Sequence, residues 1–99
     1  MMKHLNLIIK GRVQKVGFRF HAMEAAYKYG IAGFVMNRDD DSVYIEAEGT
    51  GDALESFIGW CHRGPIGARV EEVKVSDGEM QSFTSFEIIS RAKWMNTKR

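Results

Sequence analysis

Apolar residues in Leu5-Asn6-Leu7-Ile8-Ile9 predict a first strand over residues 5–11. The apolar period then lengthens. Phe20, Met23 and Tyr27 fall at i, i+3 and i+7 with Ala22, Ala25 and Ala26 between them. That spacing predicts a slim helix over 20–30 whose large side chains enter the core. Gly30 suits the left-handed position that ends a helix. A second strand follows at 31–37, then a polar turn at 38–42 and a third strand at 43–48. In the third strand Val43, Ile45 and Ala47 share one face, and Tyr44, Glu46 and Glu48 share the other.

Gly49-Thr50-Gly51 reads as turn chemistry leading into a second helix. Asp52 with Glu55 three residues on resembles a capping box, with Asp52 as N-cap. Leu54, Phe57, Ile58 and Cys61 form its apolar stripe, which puts Cys61 in the core rather than in the open, electropositive setting a reactive thiol needs. The run 63–68 contains Gly64-Pro65 and Gly67 and breaks the helix. A fourth strand is expected at 69–76 with Val73 and Val75 inward. A polar connection covers 77–84 and a fifth strand 85–90. The basic tail 91–99 leaves two outcomes open: fraying, or Trp94 packed back on the surface. The order strand, helix, strand, strand, helix, strand plus a short last strand predicts an α+β, ferredoxin-like split β-α-β fold, with an antiparallel sheet and both helices on one face.

Length adds one constraint: 99 residues make a single domain, 1–99 with its core at about 5–90, large enough to bury a core without metal or disulfide. A hydrophobic fraction of 44% and one proline argue against disorder. A net charge of +1 gives no general case for nucleic acid or membrane. Cys61 is the only cysteine, so no internal disulfide can form. The start of the chain does not read as a signal peptide and no apolar run is long enough to span a bilayer, so a cytoplasmic monomer is expected.

The charge is local. Lys10, Arg12, Lys15 and Arg19 crowd the stretch between the first strand and first helix, and no acid occurs before Glu24. Gly11 and Gly17 allow tight turns with inward amides, and the helix that follows aims its dipole at the same hollow. These features suit a small anion such as a phosphoryl group; an ordinary strand-to-helix turn with solvated basic residues accounts for them about equally well. A Walker-type loop is excluded, because no Gly-Lys-Ser or Gly-Lys-Thr follows. His4, His21 and His62 are far apart and beside no carboxylate cluster, which argues against zinc. His21, near the cradle, is read as a surface residue. Three aspartates at 39–41 lack the spacing of a Ca²⁺ loop and read as a solvated hairpin. Asn37 ends the second strand, where it faces the loop after the first; it is a turn residue or a holder of a water molecule.

Gly11-Arg12-Val13-Gln14-x-Val16-Gly17-Phe18-Arg19 resembles the signature of the acylphosphatases, and Gly33-Phe34-Val35-Met36-Asn37 resembles the family's second motif. Gly64-Pro65, Val70, Val73 and Phe86-Glu87-Ile88 also sit as in that family, so the likeness covers about residues 5–90. The resemblance implies metal-independent hydrolysis of the carboxyl–phosphate bond of acyl phosphates, with no cofactor and with inorganic phosphate as product or inhibitor. It implies that Arg19 and the amides of Gln14, Lys15, Val16, Gly17, Phe18 and Arg19 hold the phosphoryl group, and that Asn37 orients the attacking water. The family has glycine where this chain has Lys15; the expectation is a cradle that still forms, with the Lys15 ammonium turned outward at its mouth. Two other readings stay open: an anion-binding relative with little turnover, and an RNA-binding module. The latter shares the topology, but its aromatic motif belongs on the third strand, whereas Ala32-Gly33-Phe34-Val35 lies on the second.

Overall fold

In the computed structural model, which describes residues 1–97, β1 runs from Met2 to Arg12 and pairs on both sides, with β3 (Val43–Thr50) and β4 (Arg69–Asp77). The sheet order is β4-β1-β3-β2-β5, where β2 is Ala32–Asn37 and β5 is Phe86–Ile88. The first four strands pair antiparallel as expected for a split β-α-β fold. The fifth corrects an all-antiparallel sheet, since β5 adds parallel to β2 with Val35 opposite Ile88. A mixed edge follows from the chain's path: after β4 the segment 78–85 crosses the sheet before β5 docks beside β2.

Helices α1 (Phe18–Tyr29) and α2 (Gly51–Arg63) cover one face. Leu7, Ile9, Val35, Val43, Ile45 and Ala47 meet them and are fully buried. The phase of α1 differs from expectation. It begins two residues earlier and buries Phe18, Ala22, Ala25 and Ala26, leaving Phe20 and Tyr27 exposed. Phe18 is the anchor, packed on Trp60 at 5.2 Å, and the alanines let the helix lie close to the sheet. Tyr27 reaches over the edge to donate to the Phe86 carbonyl at 3.0 Å. Gly30 ends the helix in the left-handed conformation. The N-cap of α2 is Thr50 rather than Asp52: its hydroxyl accepts from the Ala53 amide at 3.1 Å. Cys61 is buried in the core, and burial raises its thiol pKa. Of the two expected inward valines of β4, Val73 packs against the core, whereas Val75, on the edge strand, stays exposed.

Gly11 serves the sheet rather than an anion. It lies in a β-bulge at φ 129°, and a Cβ there would stand 2.1 Å from the Arg69 carbonyl oxygen. The other face of the sheet is not left to solvent. The segment 78–85 and α3 (Arg91–Thr97) cover part of it, so Glu46 and Glu48 are buried. Trp94 packs against Tyr44 at 6.1 Å, and Phe34 against Phe83 at 5.8 Å. Phe34 is therefore buried under Phe83, and Tyr44 is partly covered by Trp94, which reduces the open aromatic surface of β2 and β3. The last part of the tail, residues 98–99, lies outside the described residues.

Strand pairing also corrects the reading of His4. Its partner across β1 and β3 is Glu48, and its ring lies between two carboxylates, Nδ1 at 2.7 Å from Glu48 Oε2 and Nε2 at 3.1 Å from Glu46 Oε1. Glu48 also accepts from the Gln81 and Phe83 amides, which pins the 78–85 crossing to the sheet. Burial pushes the Glu48 carboxyl up, but the Gln81 amide, His4 and the Phe83 amide outweigh it and hold it below the usual range. A carboxyl lowered on folding stabilises above its unfolded pKa of about 4.3 and loses that contribution as pH falls through the folded value. Glu48→Gln should therefore cost roughly 1.5–3 kcal/mol at pH 7, and the gap to the parent should narrow as pH falls below about 4. Thermal melts at pH 7 and pH 3 check this; a gap of constant size would contradict it.

Candidate active site

The loop between β1 and α1 turns twice through left-handed backbone, at Lys15 (φ 63°) and at Gly17 (φ 76°). Gly17 is the N-cap of α1 and supplies no side chain to the helix end. The amides of Phe18, Arg19 and Phe20 open the helix without an intrahelical acceptor, and no acid stands in the first turn. The first intrahelical bond runs from the His21 amide to the Gly17 carbonyl at 3.1 Å. A helix start of this kind carries partial positive charge directed at the loop.

Lys15, Gly17, Phe18 and Arg19 share one hollow of about 200 Å³ with Val13, Phe20, Asn37 and Ile88. The sheet brings Asn37 there: β2 runs antiparallel to β3 and ends beside the loop that leaves β1. Arg19 is exposed and forms no ion pair among the described residues, which leaves its guanidinium fork available to an anion. Lys15 is exposed as well, so its side chain belongs to the mouth of the hollow. The Asn37 Oδ1 is buried and accepts no hydrogen bond among the described residues. A buried acceptor left unpaired costs about 1–3 kcal/mol and marks a place where a donor from water or ligand is called for.

The remaining sequence candidates divide. Phe18 is a core side chain and Val16 is packed against the core, so only their backbone can face an anion. Gln14 turns its side chain away from the hollow's centre. Its Nε2 donates to the Arg38 carbonyl at 2.8 Å and the Ser42 carbonyl at 2.9 Å, clamping the hairpin that begins just after Asn37. Ser42 in turn donates to Asp40, which lowers the Asp40 carboxyl pKa and closes the turn that had three aspartates. Lys10 and Arg12 belong to β1 and do not line the hollow, so its positive charge comes from Lys15 and Arg19 alone among the four basic residues. His21 faces out and pairs with Glu24 at 3.0 Å. Three lining residues, Val13, Phe20 and Ile88, lie outside the expected site residues. Phe20 had been counted into the helix's inner stripe, and the signal that would have found it is Phe18: with that residue inward, Phe20 lies about 200° around the helix.

Known proteins match this arrangement over nearly the whole chain. The acylphosphatase family model matches residues 5–88. An acylphosphatase of Nocardioides sp. is 42% identical over 86 residues, 87% of each chain. One from Thermotoga maritima is 40% identical over 87 residues, covering 88% of this chain and 97% of that protein. Among solved structures, the crystal structure of acylphosphatase from Bacillus subtilis superposes with a TM-score of 0.86 at 37% identity, over 90% of this chain and 99% of that one. With the loop, the fold and these relatives in agreement, the chain belongs to the acylphosphatase family.

Proposed function

We propose that this protein hydrolyses acyl phosphates, R–CO–O–PO₃²⁻ + H₂O giving R–COO⁻ and H₂PO₄⁻. The observation that carries the proposal is the meeting in one hollow of an arginine with no ion pair, a helix start with no side-chain cap and a buried asparagine oxygen with no donor, all among the described residues. Arg19 and the amides of the 14–19 loop bind the phosphoryl oxygens. Asn37 Oδ1 accepts a hydrogen from a water molecule and so aims its lone pair at phosphorus. The bond from that water's oxygen to phosphorus forms as the phosphorus–acyl oxygen bond breaks.

The leaving group is a carboxylate, stable without a proton, so no general acid is needed. Both protons of the water stay with the phosphate. An acyl phosphate is already activated, so positioning and charge stabilisation are sufficient without a metal, a cofactor or a covalent nucleophile. Inorganic phosphate, which presents the same oxygens, should inhibit as well as leave as product. The proposal includes a cytoplasmic monomer. A single buried cysteine fits a reducing compartment, and no helix among the described residues is long and apolar enough to cross a membrane.

The test is a continuous assay of benzoyl phosphate with purified protein and excess chelator. Turnover above the uncatalysed rate is expected. None would favour a phosphate-binding relative without activity.

Lys15 separates those two readings further. Its left-handed backbone costs a non-glycine residue about 1–2 kcal/mol, which a domain stable by roughly 5–15 kcal/mol can carry. Lys15→Gly should keep the fold and raise stability only slightly, because glycine also frees the unfolded chain. Its kcat/KM should stay within about tenfold of the parent. A rise of several hundredfold would mean that Lys15 blocks the hollow.

A further inference from the structure

Two large apolar side chains at the hollow have no role in the core. Phe20, in the first turn of α1, is 52% exposed, and Ile88, the last residue of β5, is 39% exposed. Both line the hollow that holds Arg19 and Asn37. They come from different elements. Ile88 is fixed by its pairing opposite Val35, two residues before Asn37 on the same face of the sheet. Phe20 is steadied by the His21 ring, which meets it edge-on at 5.5 Å. Asn37 lines the hollow as a half-buried residue with its oxygen buried, whereas Phe20, Ile88 and Lys15 line it as exposed side chains.

Resting on the acyl phosphate reading above, we infer that Phe20 and Ile88 form an apolar seat for the acyl group, which selects aryl and bulky alkyl acyl phosphates over small ones. The argument is geometric. In an in-line displacement the leaving group departs on the side of phosphorus opposite the attacking water. A water held by Asn37, on the more buried side, therefore directs the acyl group toward the solvent side, where the two exposed apolar side chains stand. Covering them with an aryl ring removes apolar surface from water on both partners. A methyl group offers far less apolar surface for the two side chains to cover.

The test compares benzoyl phosphate with acetyl phosphate. Phe20→Ala should lower the benzoyl-to-acetyl ratio of kcat/KM about tenfold, mainly through a higher KM for benzoyl phosphate, because the contact is made in ground and transition states alike. Ile88→Ala should lower it by about threefold, and Phe20→Leu should lie between parent and Phe20→Ala. Inhibition by inorganic phosphate, which has no acyl group, should stay within twofold in all three. Ile88→Ala and Phe20→Leu carry the test if Phe20→Ala does not fold. An unchanged ratio, or an equal loss on both substrates, would overturn the seat while leaving the hydrolase intact. A parent protein that turns over neither substrate would overturn the hydrolase reading and the seat with it.

Discussion

Arg19→Gln should abolish both turnover of benzoyl phosphate and inhibition by inorganic phosphate. Arg19 stands on the first turn of α1 at the hollow, and its guanidinium has no competing carboxylate among the described residues. The helix start and the loop amides add fixed dipoles, and Arg19 brings to the hollow a guanidinium fork that Lys15, the other cation lining it, cannot replace. An arginine that stabilises a transferring phosphoryl group is worth about 10³–10⁵ in kcat, so the variant should fall by at least about 10³-fold. Arg19→Lys should recover little of this, since a point charge cannot reproduce two parallel hydrogen bonds to one phosphoryl group. Because the side chain is exposed, neither variant should change the melting temperature by more than a few degrees. Steady-state kinetics with a phosphate titration decide the matter. Unchanged phosphate inhibition in Arg19→Gln would contradict the assignment.

Asn37→Ala should behave differently. It should keep phosphate inhibition and KM near the parent's and lose about 10²-fold or more in kcat, as the proposed role of orienting water rather than binding the phosphoryl group requires. Its effect on stability is a second signature. The buried oxygen has no partner among the described residues to abandon, so truncation should cost little or nothing. A normal kcat would reduce Asn37 to a residue that ends β2. A loss of phosphate inhibition alongside kcat would move it into the binding site instead.

The parts of this molecule that a sequence reading found are those where a local rule and the tertiary fold agree. Val43, Ile45 and Ala47 alternate because one face of β3 meets the helices, and Leu54, Phe57 and Cys61 repeat because one stripe of α2 meets the sheet. Lys15 and Gly17 were marked by charge and by conformational freedom, and both do adopt left-handed backbone. The misses arose where two rules competed. Phe20 and Phe18 both offer an aromatic to start a helical stripe, and only the position of Trp60 on α2 chooses Phe18. Thr50 and Asp52 are both good N-caps, and the end of β3 decides between them. His4 and Glu48 are 44 residues apart, so their contact depends on strand register, which no local pattern of the two strands states. The pairing of β5 beside β2 likewise depends on where the 78–85 crossing is anchored, by Glu48, the His4 carbonyl and the Gly33 amide. At the hollow, Arg19 and Asn37 come from two motifs that a sequence reading marks, and the fold places both in its lining. The exposed pair of Phe20 and Ile88 was not legible, because exposure is a property of the assembled surface.

In the proposed reaction water enters at phosphorus and a carboxylate leaves. Hydrolysis of benzoyl phosphate by the purified protein in ¹⁸O-labelled water, with chelator present and products read by mass spectrometry, tests it directly. The account predicts one ¹⁸O in the phosphate and none in the benzoate beyond the uncatalysed background. Label in the benzoate would place the attack at the acyl carbon and contradict the roles given to Arg19 and Asn37, and absence of turnover would contradict the reaction itself.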